Sequence, residues 1–328
     1  MKIAIDAMGG DAAPGINVEG ALLAAREWKD LELILVGDAR QIEPLLSDAP
    51  PNIHIKHAEE RIEAEDEPVR AIRRKKNASM VIAANMVKSQ EADGMISAGN
   101  TGALMALGYL VIGRIDGIER PALAPLLPTL NGKGVLALDL GANMDATPKQ
   151  LVQYAVMGSI YRSSSHGLKE PRVGLLNIGT EDNKGNELTK AAAELLSEAP
   201  INFIGNVESR DVLHHNCDVL VCDGFAGNIM LKSMEGVADA IFSELKRIFT
   251  RNLPNKLAAA VLKSDLLKFK EKMDYREHGG APLLGVNGVC IKSHGSSDAN
   301  AMKNAIRQAR LACSSNLVQL LSKEFKKN

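Results

Sequence analysis

The sequence predicts an α/β fold of three layers, α/β/α: a mostly parallel sheet covered by helices on both faces, with a helical hairpin projecting from it. Three observations predict it. Short β-rich runs alternate with longer helical patterns along most of the chain. One stretch, residues 228–275, breaks that alternation with helical pattern alone. The length, 328 residues, is ample for the core of one large α/β unit, here taken as 1–328 with the 228–275 hairpin as an excursion from it.

The expected strands are Lys2–Asp6, Leu33–Val36, Ile53–Ile55, Gly94–Ser97, Val135–Leu140, Val173–Ile178, Ile201–Ile204, Val219–Cys222 and Val289–Lys292. Helical patterns follow most of them, near 17–28, 68–90, 101–113, 148–162, 186–197, 228–249 and 298–321. The hairpin is expected to break at Leu253-Pro254-Asn255, and the tail from 323 to 328 is expected to fray. Right-handed crossovers place every strand-to-helix loop on one edge of such a sheet, where open α/β sheets bind ligands.

Those loops share a chemistry. They read Asp6-Ala7-Met8-Gly9-Gly10-Asp11, Ala98-Gly99-Asn100-Thr101-Gly102, Asp139-Leu140-Gly141-Ala142-Asn143, Asn177 to Asp182, Asp223 to Asn228, and Ser293-His294-Gly295-Ser296. Glycine lets backbone amides approach a ligand closely, and a helix that starts just beyond points unpaired N–H groups at an anion. Turns and helix caps call for the same residue types, so each loop taken alone has a purely architectural explanation.

Composition narrows the functions. Aromatic residues make up 3% of the chain and the formal net charge is -1, which leaves neither stacking platforms for single-stranded nucleic acid nor a bulk pull toward polyanions. Cys217, Cys222, Cys290 and Cys313 fit no zinc motif and suit buried apolar positions in a reducing compartment. No metal is expected. The N-terminus begins with a strand pattern rather than a signal peptide, and no apolar run approaches the ~20 residues that span a bilayer, so a soluble intracellular protein is expected. A Gly-x-Ser-x-Gly elbow, a Walker A loop, a Gly-x-Gly-x-x-Gly fingerprint and a His-Glu-x-x-His motif are all missing.

Three segments remain as candidates. The densest polar cluster runs from Asn177 to Glu187, where Lys184 is either a cation beside backbone donors or a solvated surface lysine. Residues 61–76 mix Arg70, Arg73, Arg74, Lys75 and Lys76 with Glu63, Glu65, Asp66 and Glu67, as a solvated helical face does, or a face for an acidic partner. In 253–272, Leu257, Ala258, Val261 and Leu262 fall at helical spacing among Arg251, Lys256 and Lys263. A basic amphipathic tip of this kind suits a membrane surface, an acidic carrier protein or a dimer interface.

Together these residues resemble the PlsX family, the phosphate acyltransferases of bacterial phospholipid synthesis. The carriers are Ala4 to Asp11, Ala92 to Ala103, Glu119-Arg120-Pro121-Ala122, Leu138 to Asn143, Asn177 to Glu181 with Lys184-Gly185, Cys222 to Asn228, Tyr275 to Leu284, and Ser293 to Ser296. The resemblance implies a fold related to isocitrate and isopropylmalate dehydrogenases and to phosphotransacetylases. It also implies a cytoplasmic homodimer, loosely attached to the inner face of the membrane, that takes acyl carrier protein thioesters and inorganic phosphate. The acyl phosphate would pass to a membrane acyltransferase acting on glycerol 3-phosphate. No cofactor and no nucleic acid are expected. On this basis Gly99, Asn100, Thr101 and Gly102 are expected to bind phosphate, and Lys184 to supply charge. Asn177, Gly179, Thr180 and Asn228 are expected to position the carbonyl, while Asp6, Gly9, Gly10, Asp11 and Asp223 organise the loops. The alternatives are a metal- and NAD-dependent dehydrogenase of the related fold and a non-enzymatic scaffold for carrier protein.

Overall fold

The structure is a computed structural model that describes residues 1–273 and 279–326. Two sheets carry the strands. The larger contains β1 (Lys2–Asp6), β2 (Glu32–Gly37), β3 (Ile53–His57), β4 (Gly94–Ser97), β5 (Ala122–Leu123), β11 (Ala281–Leu284) and β12 (Val289–Lys292), in the order β3-β2-β1-β4-β12-β11-β5. The smaller contains β6 (Leu126–Leu127), β7 (Val135–Leu138), β8 (Arg172–Asn177), β9 (Asn202–Glu208) and β10 (Val219–Val221), in the order β6-β7-β10-β8-β9. All pairs are parallel except β11 with β12 and with β5, and β6 with β7.

Each sheet has helices on both faces, which is why its central strands are continuous apolar runs. On one face of the larger sheet lie α1 (Gly15–Glu27) and α10 (Ala299–Ser314), on the other α3 (Pro68–Arg74), α4 (Ser79–Lys88) and α5 (Thr101–Leu107). The smaller sheet packs α6 (Pro148–His166) on one face and the first turns of α8 (Gly224–Thr250) on the other, through Val135, Ala137, Leu220 and Met230. The remaining helices are α2 (Ala39–Ile42), α7 (Glu187–Glu198), α9 (Leu253–Met273) and α11 (Leu317–Phe325).

One core runs through both sheets. Ile3, Ile5 and Ile96 of the larger and Leu138, Val173 and Val219 of the smaller belong to the same buried cluster, joined by Tyr154 and Tyr161 of α6 and by Met302 and Ile306 of α10. Helix α6 starts with a reciprocal capping box between Thr147 and Gln150, with Pro148 in its first turn. At its far end the Tyr161 hydroxyl donates to Gln308 Oε1 of α10 at 3.0 Å, tying the helix of one sheet to a helix of the other.

The structure departs from the expected pattern where local signals are weak. Strands β5, β6 and β11 are short antiparallel additions among Pro121, Pro125, Pro128 and Pro282, residues that cannot donate to a ladder. The 68–90 pattern splits into α3 and α4, and 298–321 splits at Asn316, whose φ of 53° cannot continue a right-handed helix. The tail does not fray from 323, because α11 runs on to Phe325 and buries its ring. The hairpin turns at Arg251-Asn252 instead of at 253–255, since Pro254 sits in the first turn of α9, where its missing N–H costs nothing. Outside the described residues lie Tyr275 and His278 of the 275–284 motif.

Tyr161 gives the junction a direct test. Tyr161→Phe is expected to lower unfolding free energy by about 1 kcal/mol through loss of one buried hydrogen bond. Tyr161→Ala is expected to lower it by about 3–5 kcal/mol through the cavity it leaves. Urea unfolding followed by circular dichroism reads both.

Candidate functional site

Register places the polar residues of the larger sheet. Asp6, Ser97 and Lys292 lie side by side at the C-terminal ends of β1, β4 and β12. Asp6 is buried and accepts from the hydroxyls of Ser79 and Ser97, each at 2.6 Å, and from the Met8 N–H at 3.3 Å. Burial pushes its carboxyl above the usual range, although both hydroxyls and the Lys292 charge pull it down. The Ser97 hydroxyl also accepts the Gly99 N–H at 3.0 Å. Lys292 donates to the carbonyl of Ala98 at 3.4 Å and to that of Ser293. Burial pushes its ammonium down to about 8, against the pull of Asp6 and Asp11.

The loops after these strands are bound to one another. The Asp11 N–H donates to Gly295 O at 2.9 Å, and Asn17 Nδ2 donates to Ala7 O and Gly9 O at 3.0 and 2.8 Å. Gly10 has a φ of 104°, and a β-carbon there would stand 3.1 Å from both Ala98 Cβ and Gly295 O, so only glycine fits. His294 Nδ1 lies 2.9 Å from the Ser296 hydroxyl within its own loop. In the 99–102 loop, Asn100 caps α5 by accepting the Ala103 N–H at 3.0 Å, and its amide donates to Ala64 O and Asp66 O at 2.9 and 3.2 Å. The Asn100 side chain is therefore engaged inside the protein. The first-turn N–H groups of Thr101 and Gly102 have no protein acceptor among the described residues. The neighbouring charges of 61–76 also pair locally, Lys75 with Asp66 at 2.5 Å and Arg61 with Glu63 at 2.7 Å.

In the smaller sheet Leu138, Val221 and Leu175 stand side by side, so the loops after β7, β10 and β8 begin together. Asp139, fully buried, folds the first loop around itself: it accepts the N–H groups of Ala142 and Asn143 at 3.1 and 2.5 Å and Asn143 Nδ2 at 2.9 Å. Desolvation pushes its carboxyl up against these bonds. Cys222 donates its thiol to Asp139 O at 3.2 Å, and burial raises that thiol well above its ordinary value. Asp223 caps α8 through the N–H groups of Phe225 and Ala226 at 3.0 and 2.9 Å. The helix then passes so close to the Asp139 loop that a β-carbon on Gly227 would lie 2.2 Å from Asp139 O. The half-buried Asn228 presents its side chain to Gly141.

The third loop is the most open. Asn177 braces it, accepting the Ile178 N–H at 2.8 Å and donating to Lys184 O at 3.3 Å, and Asn206 donates to Glu181 O at 3.0 Å. Asn186 caps α7 by accepting the Thr189 N–H. Thr180 and Lys184 are exposed, Gly179 is buried, and Lys184 has no ion-pair partner among the described residues.

The sequence-derived candidates thus fall into two groups, one at each sheet's strand ends. Asp6, Gly9, Gly10, Asp11 and the 99–102 loop are joined in the first. Asp223 and Asn228 join the Asp139 loop in the second, beside the loop of Asn177, Thr180 and Lys184. Sequence reasoning overlooked Ser79, Ser97 and Lys292, and named Asp139 and Asn143 only as members of a strand-end loop, with no role of their own. Their signal is positional: three end a strand or directly follow one, at matching register.

On the hairpin, Leu257 and Val261 are 62% and 84% exposed, with Leu253 and Ile241 also uncovered, while Phe242 and Phe269 pack at 5.9 Å between α8 and α9. No helix among the described residues is long and apolar enough to cross a membrane.

Comparisons with known proteins agree on the family. A family model described as "Fatty acid synthesis protein" matches residues 1–320. The chain is 56% identical over 329 aligned positions to a phosphate acyltransferase of Brevibacillus brevis, covering 100% of this chain and 98% of the relative. It is 55% identical over 327 positions to that of Bacillus cereus strain B4264, covering 100% and 99%. Its fold is that of a phosphotransacetylase from Streptococcus pyogenes, with a TM-score of 0.61 at 17% identity over 96% of this chain and 94% of that one. Full-length identity of this degree establishes that the chain belongs to the PlsX family of phosphate acyltransferases.

Proposed function

We propose that the chain transfers a fatty acyl group from the thioester of acyl carrier protein to inorganic phosphate, giving an acyl phosphate for glycerol 3-phosphate acylation. The observation that carries this reading is the full-length match to phosphate acyltransferases, on a chain whose strand-end loops are rich in amide donors. A phosphate oxygen attacks the thioester carbonyl, the carbon–sulfur bond breaks, and the carrier leaves as a thiolate that takes up a proton. Near pH 7 much of the phosphate is already dianionic and a thiolate leaves readily, with a thiol pKa near ~8.5. The protein's task is then to hold phosphate, align it and stabilise the oxyanion. The N–H groups of Thr101 and Gly102, beside Gly99 and Asn100, suit phosphate. Lys184 suits the developing charge, with Asn177, Thr180 and Asn228 about the carbonyl. The buried, protonated Cys222 is no nucleophile, which fits direct transfer without an acyl-enzyme.

The exposed apolar line of Leu257, Ala258, Val261 and Leu262, flanked by Arg251, Lys256 and Lys263, suits a homodimer contact, an acidic carrier protein or loose attachment to the inner face of the cell membrane. Cytoplasmic residence and handover to a membrane acyltransferase complete the reading.

Incubation with acyl-carrier thioester and phosphate, followed by hydroxylamine, should yield acyl hydroxamate well above the no-enzyme control; a yield equal to the control would defeat the reading. At phosphate below saturation, Lys184→Ala is expected to cut the rate by about tenfold or more, as loss of a charged contact to the transition state does. In sedimentation with anionic vesicles, Leu257→Glu with Val261→Glu should abolish binding and leave the thermal midpoint unchanged, because both side chains are exposed. Persistent binding would remove the tip from membrane attachment.

A further inference from the structure

The 99–102 loop, the expected phosphate loop, ends a strand whose neighbours are held by a cation that nothing above assigns to the reaction. Lys292 is the last residue of β12 and pairs in register with Ser97 of β4. Its ammonium reaches back over the strand end to the Ala98 carbonyl at 3.4 Å and takes the Ser293 carbonyl as well. The N–H of the same peptide group, that of Gly99, is held by the Ser97 hydroxyl, which donates to Asp6. The one Ala98–Gly99 peptide is thus held at both ends, its carbonyl by an ammonium and its N–H by a hydroxyl that Asp6 orients. Holding this peptide fixes where the loop begins, and Asn100, anchored to Ala64 O and Asp66 O, carries it on to the N–H groups of Thr101 and Gly102.

We propose that Lys292 is a positioning residue for phosphate: its ammonium, holding the Ala98 and Ser293 carbonyls, orients the amides of the 99–102 loop for the anion. The inference rests on the reading of that loop as the phosphate site. The charge of Lys292 is balanced by Asp6 and Asp11, so its contribution is geometric rather than a net positive field. The groups around it are few. From β1 and the loop that follows come the carboxylates Asp6 and Asp11, and from β4 the hydroxyl of Ser97 and the Ala98 carbonyl. From its own loop comes His294. At the start of α10 the Asp298 carboxylate caps its own helix through the Ala301 N–H, and farther along Lys303 and Arg310 pair with Glu27 and Asp30.

A partly buried ammonium pushed down to about 8 makes the clamp dependent on pH. The sign is definite: below about 8 Lys292 is charged and donates strongly to both carbonyls, and above it the neutral amine holds them weakly. Phosphate's own second ionisation falls in the lower part of this range, so affinities are compared as those of the dianion.

The test measures phosphate affinity by titration calorimetry, which needs no turnover, together with phosphate KM and kcat from the hydroxamate assay between pH 6.5 and 9.5. For the wild type, phosphate binding should weaken as pH rises through about 8. Lys292→Met should weaken it about tenfold at pH 7, the size of a lost charged hydrogen bond, with kcat little changed and no remaining pH limb. Lys292→Arg, always charged, should bind phosphate tightly at pH 7 and shift the limb out of range. Should the Met variant fail to fold by circular dichroism, the Arg variant alone decides: a limb unchanged from wild type overturns the proposal. So does a folded Met variant with wild-type phosphate affinity. A wild type that binds phosphate and responds to these substitutions, yet forms no hydroxamate, would defeat the proposed reaction and leave the role of Lys292 in the loop standing.

Discussion

Everything at the larger sheet's C-terminal edge depends on the neutralisation of one buried carboxylate. Asp6 ends β1, an interior strand of that sheet, and is buried, where an unpartnered charge would be very costly. The chain meets that demand with two hydroxyls, one from α4 and one from β4, and with the ammonium that ends β12. Each partner comes from a distant part of the sequence, Ser79, Ser97 and Lys292. Satisfying Asp6 therefore brings the ends of β1, β4 and β12 and the start of α4 to one place. The glycines of the 9–10 segment then allow the loop to pass within contact of Ala98 and Gly295. The same carboxylate is thus at once a folding constraint and the foundation of an amide-lined edge.

The smaller sheet repeats the device with different chemistry. Asp139 is also buried at a strand end, but it is satisfied locally, by the N–H groups three and four residues on and by the Asn143 amide. A carboxylate solved within its own loop leaves the neighbouring loop free, and the Asn177–Glu187 segment is correspondingly open, with Lys184 and Thr180 exposed. One edge is closed and cross-linked, the other open, with Lys184 exposed on it. That division suits a reaction in which a small anion is held on one side and a large acylated protein arrives on the other.

Much of this was legible in the sequence, and the limits have physical causes. The nine strands of the βα alternation announce themselves because apolar runs and helical periodicity are local signals, read within a dozen residues. Which strands pair is not local, and nothing in the runs at 135–138, 172–177 and 219–221 says that they leave the first sheet to form their own. The three antiparallel strands, two of them only two residues long, sit among prolines that argue against any strand. At the site, glycine-rich loops mark the edge well. What the sequence conceals is how each polar side chain is occupied. Asn100 reads as a ligand group and turns out to cap a helix and anchor residues 63–66. Lys292 reads as the polar end of a strand and turns out to bridge two loops.

The long helix α8 has a consequence in distance. It is fully buried only at Gly224, Gly227 and Met230, beside the Asp139 loop, and then projects alongside α9 to the turn at Arg251-Asn252. The helix from Met230 to Thr250 spans about 30 Å at 1.5 Å per residue. A lipid surface engaged by the tip would be separated along this helix from the reacting groups by about the width of a small domain, ~26 Å for two radii of gyration at 100 residues. Such a stand-off leaves room for a carrier domain to dock between enzyme and bilayer. On the proposed reading, an acyl phosphate formed at the strand ends would cross a short aqueous gap, or be handed over directly, before meeting an acceptor in the membrane.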